Sequence, residues 1–304
     1  MLDNISGILL MDKPAGFTSH DVVAKLRGIL HMRKIGHGGT LDPLATGVLP
    51  VFLGSATKAA DFAATQDKTY VAGFMLGFST DTQDIDGAVL QTSRKNVSQT
   101  EIEKTLRQFL GKQRQIPPMY SAIKINGKKL YELARQGKEI SRPPREITVF
   151  ELTLLSFDQE TQKGLLRCTV SKGTYVRTLI NDIGEALETK ACMYSLVRER
   201  AGQFTLENCH TFAEVEQAAH SGVIDTLITP TDSLFTQYPT VFLSQEGAER
   251  ASRGAVVFPR MAEGIEQVAS GDLCRVYYEN RFLMLGQIRP LNIGGFGLFV
   301  YQNF

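Results

Sequence analysis

Residues 36–50 read GHGGTLDPLATGVLP, and within them Asp42 is the one acidic side chain, set among glycines and apolar residues. Gly36, Gly38 and Gly39 admit backbone conformations closed to other residues, and Pro43 restricts Asp42 to an extended geometry. The acid is therefore expected on a rigid, sharply turned loop, a setting that suits a nucleophile or a base. Aspartate before proline also caps turns, so this stretch alone leaves both readings open.

Working outward, GILLM (7–11) reads as a short buried strand, and Ser19 is expected to cap a helix with Val22, Val23, Leu26, Ile29 and Leu30 on one apolar stripe. Residues 68–78 carry a strand pattern, and Ser98 with Glu101 forms a capping box before a helix buried through Ile102, Leu106 and Phe109. Asn126-Gly127 signals a tight turn, Lys128 to Gln136 a helix ended by Gly137, and strands near 146–156 and 164–171 lead to a helix from about Thr174. A helical stretch at 211–219 precedes TPTDSLFTQYP (229–239), a turn-rich linker. RVYYENRFLMLGQI and FGLFVYQ beyond it predict a small β-rich module. Strands and helices mix without strict βαβ alternation, which favours an α+β domain with a large mixed or antiparallel sheet over a doubly wound fold.

A chain of 304 residues with 43% hydrophobic composition can bury a sizeable core and suits one large domain with a small one. No signal-peptide pattern opens it, and no apolar run approaches the roughly 20 residues that span a bilayer, so the cytoplasm is the expected address. Cys168, Cys192, Cys209 and Cys274 are widely separated, with no CxxC pair, and point to neither zinc nor a disulfide framework. The net charge is only +1, but residues 107–145 hold ten basic side chains against two acids, a local excess of +8 that leaves the rest at −7. These bases are interleaved with Phe109, Tyr120 and Tyr131 and with the turns IPP and RPP. A phosphate-tracking arm is expected there, with binding that weakens steeply in salt.

There is no Walker loop, no GxGxxG and no HExxH. TDTQDIDG (80–87) approximates the start of an EF-hand, but Thr82 and Ser93 stand where such a loop needs its first acid and its bidentate Glu. No metal and no cofactor are called for.

HGGTLDPLATGVLP followed by GSATK resembles the catalytic motif of the TruB family of tRNA pseudouridine-55 synthases. LLMDKPAGFTSHD (9–21), DKTYVAGFMLGFSTDTQDIDG (67–87), IPPMYSAIKINGKKLYELARQG (116–137) and SKGTYVRTLINDIGE (171–185) resemble further family blocks, in order and at about the family spacing. The resemblance implies a pseudouridine synthase fold over residues 1–236, carrying a basic RNA-binding insertion at about 107–145. It also implies a C-terminal PUA-like module over 237–304.

By the same resemblance, Asp42 is the catalytic aspartate and Tyr70 stacks on a base flipped out of the T-loop. Tyr175 lines the pocket and is a candidate to help remove the C5 proton. Arg177 pairs with Asp42, where a guanidinium fork would hold and orient the carboxylate. In an extended segment, residues 175 and 177 would point to one side. His37 helps fill the space left by the flipped nucleotide, Asp84 matches an aspartate near the substrate, with the acids of 80–87 expected on an RNA-facing turn, and Leu196 matches a leucine of the pocket wall. Lys13 and Lys58 match motif lysines that either meet phosphates or shape the active-site loop.

The implied activity is isomerisation of uridine 55 in the T-arm of tRNA, without a guide RNA, an obligate protein partner or a cofactor, by a monomer. Breaking and remaking a glycosidic bond needs an anion beside the sugar or base, either to attack a carbon or to stabilise positive charge at C1′. A tRNA-folding chaperone would use the basic arm without needing Asp42, Tyr70, Tyr175 and Arg177 together, although chaperoning can coexist with catalysis. A guide-RNA ribonucleoprotein subunit would keep the chemistry but require partners.

Overall fold

The structure is a computed structural model that describes residues 5–125, 127–292 and 294–304. The strand Gly7–Lys13 pairs antiparallel along its length with Thr46–Leu53, the strand that leaves the Asp42 loop. Both are covered on two faces, which accounts for their nearly unbroken apolar character. Leu9, Met11, Leu49 and Val51 pack with the helices Ser19–Leu30 and Phe212–His220, whereas Ile8, Leu10, Val48 and Phe52 pack with Ala56, Ala59 and Phe235.

These strands belong to a sheet that has ten strands among the described residues. Its path runs Ile228–Thr229, Gly7–Lys13, Thr46–Leu53, Ala191–Ala201, Lys68–Leu76, Lys163–Val170, Arg145–Asp158 and Gly111–Gln115. Ile35–His37 and Phe204–Thr205 attach beside it. Among the described residues its pairs are antiparallel except Thr46–Leu53 with Ala191–Ala201, where Arg198 lies opposite Gly47. The sheet is therefore mixed and the fold α+β, as the element pattern predicts. A second core, with Leu41, Tyr70, Leu166 and Leu196, lies under the helices Gln99–Leu106 and Val176–Ala186.

Several local expectations shift. Thr18, not Ser19, caps the first helix through a capping box with Asp21, which frees the Ser19 hydroxyl for a tertiary contact. Ser98 and Glu101 form the predicted capping box. The helix predicted from Lys128 is only Leu130–Ala134, because Lys128–Lys129 pair with Lys124–Ile125 in a short hairpin. The turn signal Asn126-Gly127 falls in part on residue 126, which lies outside the described residues. The later helix starts at Val176 with Tyr175 as its extended N-cap, so residues 175 and 177 do not share one extended segment.

Among the described residues, 240–303 form a five-stranded sheet, with Leu273–Tyr278, Arg281–Pro290 and Phe296–Asn303 where the strand patterns stand, and an α-helix, Gln245–Ser252, that those patterns did not signal. The segment predicted as a linker is packed rather than loose. Phe235 is 1% exposed and lies 6.1 Å from the Phe282 ring and 5.4 Å from that of Phe304, while Asp232 accepts a hydrogen bond from Tyr277. Cys168, Cys192 and Cys274 are buried, Cys209 is half-buried, and all four are free thiols. No helix among the described residues is long and apolar enough to cross a membrane.

Candidate active site

The Asp42 loop is fixed through its backbone by three side chains from two distant parts of the chain. Ser19 Oγ accepts from Leu41 N at 2.8 Å and donates to Leu41 O at 3.2 Å. Lys13, fully buried, donates to Pro43 O at 3.3 Å and to Phe17 O at 2.6 Å, while Gly16 N also reaches Pro43 O at 2.9 Å. Arg198, 1% exposed, donates to Gly39 O at 3.1 Å and to Val48 O at 2.7 Å. The acid thus sits between anchored neighbours on both sides, the rigid turn that its glycines and Pro43 predict. Its side chain remains 38% exposed.

Arg177 holds that side chain. Its Nε stands 3.0 Å from Asp42 Oδ2, and its Nη1 donates to Thr82 O at 2.8 Å and lies 3.3 Å from Asp84 Oδ2. Its Nη2 donates to Tyr120 O at 2.9 Å. One guanidinium at the start of the Val176–Ala186 helix therefore joins the Asp42 loop, the 80–87 turn and the basic insertion. Such a fork has little freedom, so the Asp42 carboxylate is directed as well as neutralised.

Asp84 departs from the expected RNA-facing turn. It is 7% exposed, accepts from Thr82 Oγ1 at 2.6 Å and from Asp86 N at 3.2 Å, and faces Arg177. Burial pushes its carboxyl above the usual carboxylate range, against the Thr82 hydrogen bond and the Arg177 charge. In this geometry it pairs with Arg177 and does not face solvent.

Tyr70 is 8% exposed, and its strand partners are Cys168 and Arg198. Burial pushes its phenol up, opposed by the Arg198 charge. Burial also raises the Tyr175 phenol, with the Asp42 charge adding to the effect, so this hydroxyl stays protonated at neutral pH. Tyr175 is positioned by Gln115, whose amide accepts from Tyr175 N at 2.8 Å and donates to Tyr175 O at 3.0 Å. Leu196, 6% exposed, packs in the same core as Tyr70 and Leu41. Tyr70 and Leu196 are thus buried with Leu41 in one core, and the Asp42 charge bears on the phenols of both Tyr70 and Tyr175.

His37 ends the strand before the loop, and its Nδ1 is buried without a hydrogen-bond partner among the described residues. Burial lowers its pKa, so the ring is neutral at neutral pH. Of the two motif lysines, Lys13 is enclosed with its ammonium directed at carbonyls. That geometry fits the loop-shaping alternative and leaves it no surface for a phosphate. Lys58 is exposed and donates to Asn303 O at 3.1 Å, on the last strand of the C-terminal sheet, rather than joining the Asp42 cluster.

Sequence reasoning passed over Ser19, Gln115 and Arg198. Ser19 carries a capping signal, but its hydroxyl serves Leu41 instead. Gln115 and Arg198 look like ordinary strand residues until the topology places them. Among the described residues no group of three or more His, Cys, Asp or Glu side chains is arranged to hold a metal ion.

Solved structures share this architecture. A chain described as "Structure of H/ACA RNP bound to a substrate RNA containing 2'-deoxyuridine" superimposes with a TM-score of 0.72 at 26% identity, over 98% of this chain and 84% of the other. A chain of a Cbf5-Nop10-Gar1 complex gives 0.72 at 28% identity, over 98% and 84%. The fold is that of the pseudouridine synthases, with a C-terminal β domain.

Residues 27–176 match the TruB family pseudouridylate synthase N terminal domain, and residues 177–236 match the tRNA pseudouridylate synthase B C-terminal domain. A tRNA pseudouridine synthase B of Bacillus cereus is 42% identical over 300 residues, 95% of this chain and 97% of that one. Its counterpart in Bacillus subtilis is 42% identical over 281 residues, 91% and 90%. The chain belongs to the TruB family.

Proposed function

We propose that this chain is a tRNA pseudouridine synthase that converts uridine 55 of the T-loop to pseudouridine, acting as a cytoplasmic monomer without a guide RNA or a protein partner. The observation that carries the reading is the Asp42 carboxylate, half exposed and held 3.0 Å from the Nε of a buried arginine. Its charge bears on the Tyr70 and Tyr175 phenols. The relatives named tRNA pseudouridine synthase B support the substrate class.

The reaction breaks the bond from ribose C1′ to uracil N1, rejoins the base through C5, releases the C5 proton and leaves a proton on N1. Electrons and atoms balance within the nucleotide, so only positioning, charge and proton movement are asked of the protein. Asp42 supplies the anion at the glycosidic carbon and base. Arg177 fixes its direction, so that little reorganisation accompanies the reaction. Tyr70 and Leu196 provide the surface for the extruded uracil, and Tyr175, neutral at working pH, lines the pocket where C5 sheds its proton. His37 takes the space that the nucleotide vacates.

Residues 107–145 are the tracking surface for the T-arm backbone, and residues 237–304 serve as a PUA-like RNA-binding module beside the catalytic domain of residues 1–236. Most of the basic side chains of the 107–145 arm are exposed, which suits contact with phosphates. A tRNA-folding activity can accompany this chemistry through the same surfaces.

Tritium release from C5-tritiated, unmodified tRNA mixed with the purified chain alone tests the reading. Wild type should release tritium, and Asp42→Asn should not, with tRNA affinity within a few-fold. Release by Asp42→Asn refutes the role of Asp42. Tight binding by wild type with no release points to a binding protein or to a guide-dependent enzyme.

A further inference from the structure

We infer that Arg198 is a positioning residue for catalysis: a buried guanidinium that sets where the Asp42 carboxylate stands by holding both ends of its loop. The inference rests on the proposed role of Asp42.

Arg198 is the largest of the fully buried side chains, at 1% exposure, yet no carboxylate lies within ion-pair distance of it among the described residues. A cation stripped of water and left without a counter-ion disfavours the folded state, and an apolar residue of similar volume at this strand position would be less costly. Core stability alone therefore does not explain an arginine here.

Its hydrogen bonds do. Nε donates to Val48 O at 2.7 Å and Nη2 donates to Gly39 O at 3.1 Å. These carbonyls lie on either side of Asp42 in sequence, one entering the loop and one leaving it. A planar fork that spans both fixes the distance between the loop's two arms, which a lysine or an amide cannot do from one point.

The backbone is shaped to permit this. Arg198 sits in the parallel pairing of Ala191–Ala201 with Thr46–Leu53, directly opposite Gly47. At Gly47, with φ of +97°, a Cβ would lie 2.3 Å from Arg198 O, so only glycine lets the two strands close. At Gly39, with φ of +91°, a Cβ would come within 3.6 Å of Arg198 Nη1. Gly47 thus admits the backbone of residue 198, and Gly39 faces its guanidinium at ordinary contact distance. Arg198 is also the cross-strand neighbour of Tyr70, so one side chain fixes the carboxylate's loop against the strand that carries the base-stacking tyrosine. It touches no reacting atom and acts through Asp42.

The test compares Arg198→Met and Arg198→Lys with wild type in single-turnover rate at saturating tRNA, tRNA dissociation constant and melting temperature. A misplacement of about 1 Å at a reacting group lowers rates by roughly 100-fold, and Arg198→Met should lose about that much while its tRNA affinity stays within a few-fold. Arg198→Lys, which keeps the charge and reaches one carbonyl, should recover part of the rate. A wild-type rate in either folded variant overturns the inference. So do rate losses that vanish when each variant is assayed well below its melting temperature, because the role is then structural alone. If Arg198→Met does not fold, Arg198→Lys decides by the same criteria. If neither folds, the residue serves the fold and the positioning role is refuted.

Asp42→Asn in the same series separates the two claims. Turnover by Asp42→Asn removes the underlying reading whatever Arg198 does. An inactive Asp42→Asn beside a fully active Arg198→Met removes only the inference about Arg198.

Discussion

The basic side chains of this molecule fall into two groups with opposite physics. Lys13, Lys68, Arg177 and Arg198 are buried around the Asp42 loop and the strand of Tyr70, where they donate to backbone carbonyls and where Arg177 also forms ion pairs with two carboxylates. Eight of the ten basic residues of the 107–145 arm are exposed, with Lys129 and Arg142 half-buried. Desolvated charge is worth much and tolerates little displacement, whereas solvated charge is weak, screened and replaceable. The first group fixes a geometry, and on the proposed reading the second supplies attraction to phosphates. The two meet at Tyr120, whose carbonyl accepts from Arg177 and whose hydroxyl donates to Asp81.

The widest separation between the groups is expected at Arg177. Replacing it with methionine removes the partner of Asp42, leaves the buried Asp84 without its cation and frees the Tyr120 carbonyl. Breaking a buried ion pair from one side destabilises by roughly 3–5 kcal/mol, and on the proposed reading an undirected Asp42 carboxylate lowers the rate by at least about 100-fold. Chemical denaturation and single-turnover kinetics check the two effects. A variant that kept both stability and rate would place Arg177 with the dispensable surface charges and break the comparison.

How much of this was legible before the structure follows from the same division. Asp42 was readable because its glycines and Pro43 announce a shaped loop, and Tyr70, Tyr175 and Arg177 because they stand in ordered motifs. The exposed arm was readable from charge density. Buried charge was not. Arg198, between Val197 and Glu199, looks like a solvated strand residue until a parallel pairing closes over it. Asp84 read as a surface acid because the acid-rich 80–87 turn gives no sign that Arg177 approaches from a helix some 90 residues later. Ser19 read as a cap because its true partner, Leu41, is brought close only by the fold.

A second prediction sharpens the comparison through pH. Burial lowers the Lys13 pKa from 10.5 to about 8, only partly opposed by Asp42. Between about pH 8 and 10.5 the unfolded chain binds more protons at this lysine than the folded chain, so its contribution to stability rises with pH through that window and is lost as pH falls through 8. The difference in unfolding free energy between wild type and Lys13→Met should therefore move in favour of wild type by on the order of 2–3 kcal/mol from pH 7.5 to 10. Urea unfolding of both proteins at each pH measures it, and the titration of tyrosines and thiols cancels in the difference. A flat difference would mean that Lys13 is as well solvated as the lysines of the arm.

The smallest effect belongs to the arm itself. Lys128 and Lys138 are exposed, and among the described residues neither forms a salt bridge. Changing both to alanine should leave stability within about 0.5 kcal/mol, since nothing buried loses a partner. Each lysine that meets a phosphate releases about one counterion, so the slope of log affinity against log salt should shrink by up to about 2, and tRNA should bind a few-fold more weakly at physiological salt. The single-turnover rate at saturating tRNA should not change, because no group that touches Asp42 has moved. Binding across a salt series with a saturating rate measurement tests both halves. A fall in rate at saturation would mean that the arm's charge reaches the carboxylate through Tyr120 and Arg177, and the two groups of basic residues would then be one coupled device.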